Sequence, residues 1–220
     1  ISTELNCGEA GLGIRMFTPI ASLWNEPLLL HGEGSLKKRP IDMLEGPLKE
    51  LGVTITTNNG FVPIKVVGPL TGGKAHVDGS VSSQMLTGLL MALPLAKNDT
   101  KLIVKDLKSK PYIDMTIEVL KAFGVEIKHN DYKEFNIKGG QIYMPSNYSV
   151  EGDWSGAAFL LVAGAISGKV EVLNISSVSY QADMKILEAI EIAGGKINYT
   201  KSSVIVEKAI LNEFEFDATD

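Results

Sequence analysis

Gly79-Ser80-Val81-Ser82 opens a long apolar stretch, Ile113-Asp114-Met115 follows it, and Gly124-Val125-Glu126-Ile127 closes the set. The same phrases recur on either side. Upstream stand Gly8-Glu9-Ala10-Gly11, Ile41-Asp42-Met43 and Gly52-Val53-Thr54-Ile55; downstream stand Gly152-Asp153-Trp154-Ser155, Ala182-Asp183-Met184 and Gly195-Lys196-Ile197. Recurrence at a period of about 70 residues marks one supersecondary unit written three times.

The middle copy shows what the unit is. Val81 to Ala96 is apolar nearly all round and reads as a buried helix, with Ser80, Ser82 and Ser83 as N-cap candidates. Lys101 to Lys105 alternates polar and apolar residues, as a strand does, and Ile113 to Phe123 has apolar residues at helical spacing. Asp114 is expected in the first turn of that second helix, where a carboxylate suits the helix dipole. Gly124 ends it, and Val125 to Lys128, a turn at Asn130-Asp131, and Glu134 to Ile137 read as strand, turn and strand. A lead-in strand at Ala75 to Val77 completes a βαβαββ unit. The first copy repeats it with helices at Ala10 to Leu23 and Ile41 to Leu51, a strand at Leu28 to His31, and a hairpin through Asn58-Asn59-Gly60. The third has helices at Trp154 to Ser167 and Ala182 to Ala193 and strands at Lys169 to Leu173, Lys196 to Tyr199 and Val204 to Glu207; Phe214-Glu215-Phe216 is also strand-like.

A helix that is apolar on all sides must be enclosed by neighbouring copies, so the units are expected to stack with these helices central and the sheets outside. Such packing brings the three Gly/Ser-rich turns toward a common end. Helix N-termini expose N–H groups and a partial positive charge, so a cluster of them favours an anionic ligand.

Composition fits a globular α/β protein: of 220 residues, 45% are apolar and 21% charged, with a net charge of -5 that argues against a nucleic-acid surface. Cys7 has no internal partner, which fits a reducing, cytoplasmic location, and reads as a small buried side chain. The longest apolar run, Met85 to Ala96, is too short to span a bilayer, so no membrane partner is expected. Both termini read as cuts through a longer protein.

Three polar clusters carry candidate chemistry. Asp78-Gly79-Ser80-Val81-Ser82-Ser83-Gln84 offers hydroxyls and a carboxamide for a phosphate or a polyhydroxy ring, or else redundant capping. Lys108-Ser109-Lys110-Pro111-Tyr112 is a basic loop before the second helix, and Ser35-Leu36-Lys37-Lys38-Arg39-Pro40 stands at the matched place in the first copy. Arg15, one turn into the first apolar helix, calls for an acidic partner or a ligand. The remaining candidates have structural readings. His31, His76 and His129 lack metal-ligand spacing, Gly32-Glu33-Gly34 and Gly72-Gly73 read as turns, Trp24 and Trp154 as packing anchors, and Glu151 and Asp153 as helix capping.

At these clusters the chain resembles the 5-enolpyruvylshikimate-3-phosphate synthase family, through Asp78 to Thr87, Ser109-Lys110-Pro111-Tyr112-Ile113-Asp114, Lys37-Lys38-Arg39-Pro40-Ile41, and Gly8 to Gly11 with Ile14-Arg15. The resemblance implies an inside-out α/β barrel of six such units in two domains. Three are present here: two repeats of the first, substrate-binding domain over 1–150 and one of the second over 151–220. It implies transfer of the enolpyruvyl group of phosphoenolpyruvate to the 5-hydroxyl of shikimate 3-phosphate with release of phosphate, without metal or organic cofactor, by a protein that is monomeric when complete. Ser82, Ser83, Gln84, Ser109 and Tyr112 match shikimate 3-phosphate contacts. Gly11, Gln84 and Lys37 match the phosphoenolpyruvate side, with Arg15 and Arg39 in support, and glyphosate competes near Gly11.

The chain departs from the family pattern at two places. Glu9 replaces an asparagine, and its carboxylate needs a partner such as Arg15; Ser35 replaces the arginine that binds phosphoenolpyruvate. The family's catalytic base, an aspartate in a Pro-Asp pair, falls beyond Asp220, so no catalytic residue is assigned within the chain and the chain by itself is expected to be inactive. Two other functions compete. One is a noncatalytic scaffold or regulator of the same fold; the other is an enolpyruvyl transferase acting on a nucleotide-sugar, which favours a reactive loop cysteine where this chain has Cys7 before its first helix.

Overall fold

The computed structural model describes residues 3–217. The chain divides after Ser146 into two compact units. The first holds two copies of the repeat and the second holds one.

In the first copy, β1 (Glu4–Asn6) leads through a glycine turn into α1 (Gly11–Ala21) and β2 (Leu28–His31). A single-turn 3-10 segment (Asp42–Leu44) then runs into α2 (Glu45–Glu50), and β3 (Thr54–Asn58) pairs with β4 (Phe61–Val67). The expected helix from Ile41 is thus split; Pro47 has no N–H to bond back to the preceding turn, and a tight 3-10 start needs none there. Asn59 and Gly60 both have positive φ, 51° and 83°, the turn that matches the twist of a two-residue hairpin.

The second copy repeats the plan with β5 (Gly73–Asp78), α3 (Ser83–Ala92), β6 (Thr100–Lys105), α4 (Lys110–Ala122), β7 (Ile127–Asn130) and β8 (Glu134–Ile137). Its sheet order, β5-β6-β8-β7, is that of the first, β1-β2-β4-β3. In each the first pair is parallel, with Glu4 opposite Leu29 and Ala75 opposite Leu102, and the others are antiparallel. Alternation along β4 and β5 turns Val62, Ile64, Val66, Ala75 and Val77 into the core.

Two boundaries in this copy differ from expectation. α4 starts at Lys110, three residues early, because Pro111 fits the first helical turn; Asp114 therefore lies beyond that turn, and both its carboxylate oxygens accept from Tyr132 Oη at 2.7 and 2.9 Å. α3 starts at Ser83 and stops at Ala92, where a 3-10 turn containing Pro94 (Leu93–Leu95) replaces the last turn expected.

The core of the first unit is the contact between α1 and α3. A Cβ on Gly88 would lie 2.6 Å from the Met16 carbonyl oxygen and 2.9 Å from Met16 Cα, so the two helices meet backbone to backbone at that glycine. Leu86, Leu89 and Leu90 of α3 and Ile14 of α1 are fully buried around it. Trp24, expected as a packing anchor, is 48% exposed instead.

The second unit has α5 (Trp154–Ser167), β9 (Lys169–Leu173), a 3-10 turn (Ala182–Lys185) leading into α6 (Ile186–Ile192), β10 (Lys196–Tyr199) and β11 (Ser203–Glu207). Its sheet, β10-β11-β9, has the same order without the lead-in strand, and among the described residues no strand precedes α5 in this unit. Phe214-Glu215-Phe216 is likewise not a strand, because no neighbour pairs with it. Trp154, Leu161 and Val206 are fully buried and form the centre of a small separate core.

Candidate functional site

The first two copies build their helix starts in the same way: the loop after the second strand docks on the glycine turn before the first helix. In the second copy a Cβ on Gly79 would come within 2.7 Å of Leu107 Cα, and Lys108 N–H donates to the Gly79 carbonyl at 3.3 Å. In the first, Glu33 N–H donates to the Gly8 carbonyl at 2.7 Å, and Asn6 Nδ2 donates to Glu33 Oε1 at 2.7 Å. The repeat thereby delivers each basic segment to the start of a central helix.

At the start of α3 the hydroxyls divide their work. Ser80 closes the turn, donating through N–H and Oγ to Asp78 Oδ1 at 2.9 and 2.6 Å, and these bonds hold the Asp78 carboxyl below its usual range. Ser82 caps the helix, its Oγ accepting from Gln84 N–H at 3.2 Å. Ser83 is the first helical residue. Ser109, the cap residue of α4, sits in the left-handed region at φ 55°, and its side chain makes no capping bond. Tyr112 follows in the first turn of α4. The helix is anchored on Tyr132 from both sides of Tyr112, by the Asp114–Tyr132 pair just past the first turn and by Lys110 Nζ over the Tyr132 ring, 5.4 Å from its centre.

α1 begins without a side-chain cap, since its cap residue is Ala10. Two guanidinium groups converge there. A Cβ on Gly11 would lie 3.0 Å from Arg39 Nη1 and 3.5 Å from Arg15 Nη1, so the missing side chain leaves the space both groups face. Arg15 Nη1 donates to Gln84 Oε1 at 3.1 Å and Nη2 to the Pro40 carbonyl at 3.3 Å, while its Nε is buried without a partner. Burial, and then the neighbouring Arg39, pull the Arg15 pKa below its ordinary value. Among the described residues no carboxylate forms a salt bridge with either arginine. The acidic partner expected for Arg15 is replaced by an amide oxygen and a carbonyl, and the two guanidinium groups lie side by side with neither in a direct ion pair among the described residues.

Glu9 does not pair with Arg15. Its Oε2 accepts from Ser35 N–H at 2.8 Å, and that bond, followed by one from the Ser35 side chain and then by the nearby Arg39 charge, lowers the Glu9 pKa. The two departures from the family pattern therefore meet each other, a joint signal that sequence inspection of either position alone does not reveal. Gly11, Arg15, Arg39 and Gln84 come together through the Arg15–Gln84 bond; Ser82 and Ser83 adjoin Gln84, and the Ser109–Tyr112 segment reaches the same turn through Gly79. Lys37 instead lines a shallow groove with His31, Asn58 and Phe61.

The third copy fills its helix start from within. Asp153 accepts from Ser155 and Gly156 N–H, both at 3.0 Å, in the capping role expected of it. Glu151 Oε1 accepts from Ser179 Oγ at 2.6 Å and Gln181 Nε2 at 2.9 Å. The histidines have similar local roles: His76 Nδ1 is 3.2 Å from Glu50 Oε2, His31 Nε2 is 3.9 Å from Glu4 Oε2, and His129 stacks on Phe135. Cys7 is half-buried against the core, which raises its thiol pKa. No helix among the described residues is long and apolar enough to cross a membrane.

The architecture is that of solved enolpyruvyl transferases: an EPSP synthase from Acinetobacter baumannii superposes with a TM-score of 0.74 over 93% of this chain and 47% of its own, at 23% identity. Residues 2–218 match the family model of EPSP synthase (3-phosphoshikimate 1-carboxyvinyltransferase), and the chain belongs to that family. It is 41% identical over 220 residues to a 3-phosphoshikimate 1-carboxyvinyltransferase of Sulfurovum sp. (strain NBC37-1), and 40% identical over 222 residues to one of Haemophilus influenzae (strain ATCC 51907 / DSM 11121 / KW20 / Rd). The alignments take in 97% of this chain and 52% and 51% of the two relatives, so the chain spans about half the length of the curated relatives it matches.

Proposed function

We propose that this chain supplies part of the active site of an enzyme that transfers the enolpyruvyl group of phosphoenolpyruvate to the 5-hydroxyl of shikimate 3-phosphate. The observation that carries the reading is the convergence of Arg15, Arg39 and Gln84 on the open face of Gly11, with neither arginine in a direct ion pair among the described residues. Ser82, Ser83, Ser109 and Tyr112 are assigned to shikimate 3-phosphate. Gly11, Gln84, Arg15 and Arg39 are assigned to phosphoenolpyruvate, and Lys37 to its periphery.

The chemistry suits such a site. The 5-hydroxyl gives up its proton as its oxygen bonds to C2 of phosphoenolpyruvate, and the methylene carbon of phosphoenolpyruvate takes up a proton, giving a tetrahedral intermediate. Phosphate then leaves as that carbon loses a proton and the double bond returns. Both substrates are polyanions, so fixed guanidinium, hydroxyl and N–H groups orient them and stabilise charge through both steps. Arginine and glutamine do not exchange protons at neutral pH, and no proton-transfer role is assigned to the residues of this set.

Calorimetric titration of shikimate 3-phosphate into the 220-residue chain tests the reading. Saturable heat is expected, without turnover on adding phosphoenolpyruvate, and Ser83→Ala is expected to weaken binding about tenfold, the effect of one hydrogen bond to a charged ligand. Absence of heat from a chain with an intact circular dichroism spectrum would remove Ser82, Ser83 and Gln84 as a sufficient site.

A further inference from the structure

We propose that Glu9 is a positioning residue for the anion site: its carboxylate, seated on Ser35 in the space left by Gly34, ties the basic segment 33–40 to the start of α1 and holds the Arg39 guanidinium over Gly11. The proposal rests on the reading of that site as the place of phosphoenolpyruvate.

The contact is built on both sides. A Cβ on Gly34 would lie 2.3 Å from Glu9 Cδ and Oε2 and 2.6 Å from Oε1, so only glycine admits the carboxylate. Gly34 also has φ +48°, which disfavours a side chain independently. Ser35 N–H then donates to Oε2 at 2.8 Å. From Ser35 the segment passes the fully buried Leu36 and reaches Arg39 and Pro40, whose guanidinium and carbonyl respectively face Gly11 and Arg15. The Glu33–Gly8 bond ties the far end of the segment to the turn before α1. Glu9 adds a tie at Ser35, two residues nearer Arg39, from a position two residues before Gly11.

The sign of the effect separates positioning from simple electrostatics. Glu9 is a negative charge close to a site for anions, so Coulomb repulsion alone says that removing it strengthens phosphoenolpyruvate binding. A positioning role says the reverse, because Arg39 loses its place. The wild-type full-length enzyme is compared with Glu9→Ala, Glu9→Gln, Gly34→Ala and Arg39→Ala in steady-state kinetics, with thermal melts confirming that each variant is folded.

Glu9→Ala is expected to raise KM for phosphoenolpyruvate about tenfold and to leave KM for shikimate 3-phosphate within about twofold. Gly34→Ala, which displaces the carboxylate without removing it, is expected to do the same. Glu9→Gln keeps an acceptor for Ser35 N–H and is expected to stay within about threefold of wild type. An unchanged or lowered KM for phosphoenolpyruvate in Glu9→Ala overturns the positioning role. Arg39→Ala separates the two levels of the reading: if it leaves that KM unchanged, the site assignment itself fails; if it raises the KM while Glu9→Ala does not, only the Glu9 proposal fails.

Discussion

The same repeat places its central helix in two different surroundings. α3, in the unit with two copies, has Leu86, Leu89 and Leu90 fully buried and meets α1 at backbone distance over Gly88. α5, in the unit with one copy, buries Trp154, Leu161 and Ala165 against its own sheet but leaves Phe159 82%, Leu160 54% and Ile166 59% exposed. α5 is the more uniformly apolar of the two, so its exposure does not come from polar patterning. The difference is the sister helix: α1 encloses α3 within its unit, and a lone copy has none. The repeat is therefore a unit of topology, completed as a unit of stability only by a neighbouring copy.

The comparison breaks most sharply at Trp154. It is the largest fully buried side chain, within a small core, and Trp154→Ala is expected to remove about 3–5 kcal/mol. Hydrogen exchange should then show β9 to β11 losing protection while β2 to β4 keep theirs. Simultaneous loss in both sheets would mean that the two units are one cooperative body.

A smaller effect is expected from one substitution made in both helices. Gly88→Ala brings a methyl group to 2.6 Å from the Met16 carbonyl oxygen, a backbone atom that moves only if the helices part, and about 1–3 kcal/mol of destabilisation follows. Gly164→Ala in α5 meets Val170 Cβ at 3.0 Å and the Val206 carbonyl at 3.1 Å. A shift of a few tenths of an ångström relieves that contact, and the gain in helix propensity, about 1 kcal/mol, offsets it. Chemical denaturation of the two variants should place Gly88→Ala well below wild type and Gly164→Ala within about 1 kcal/mol of it. Equal losses would remove the sister-helix account of α3.

What was legible in the sequence divides along the line between local and long-range interactions. β2, β9, β10 and α5 lie where their periodicity places them, and the Asn59-Gly60 hairpin follows from turn chemistry alone. The Gly/Ser turns and basic loops were legible as a site because the repeat matches them copy to copy. Docking partners were not: Glu9 on Gly34 and Leu107 on Gly79 join residues far apart in sequence, and nothing local marks them. Apolar character also says that a side chain benefits from burial without saying that cover exists. Trp24 and Phe214-Glu215-Phe216 read as buried anchor and strand, yet the first is half exposed and the second pairs with no strand among the described residues.

The smallest expected effect on stability lies on the open face of α5. Phe159 has little contact to lose, so Phe159→Ser should change the unfolding free energy by no more than about 0.5 kcal/mol. Solubility should respond much more, because Phe159, Leu160 and Ile166 lie on one helix and exposed apolar side chains gathered in this way promote association. Sedimentation and chemical denaturation of the 220-residue chain, with and without the substitution, read the two effects: the unsubstituted chain is expected to self-associate and the variant to do so less, at unchanged midpoint of unfolding. A loss of stability as large as that of Trp154→Ala would show that Phe159 is enclosed within its own unit, and the contrast between α3 and α5 would then have to come from somewhere other than the missing sister helix.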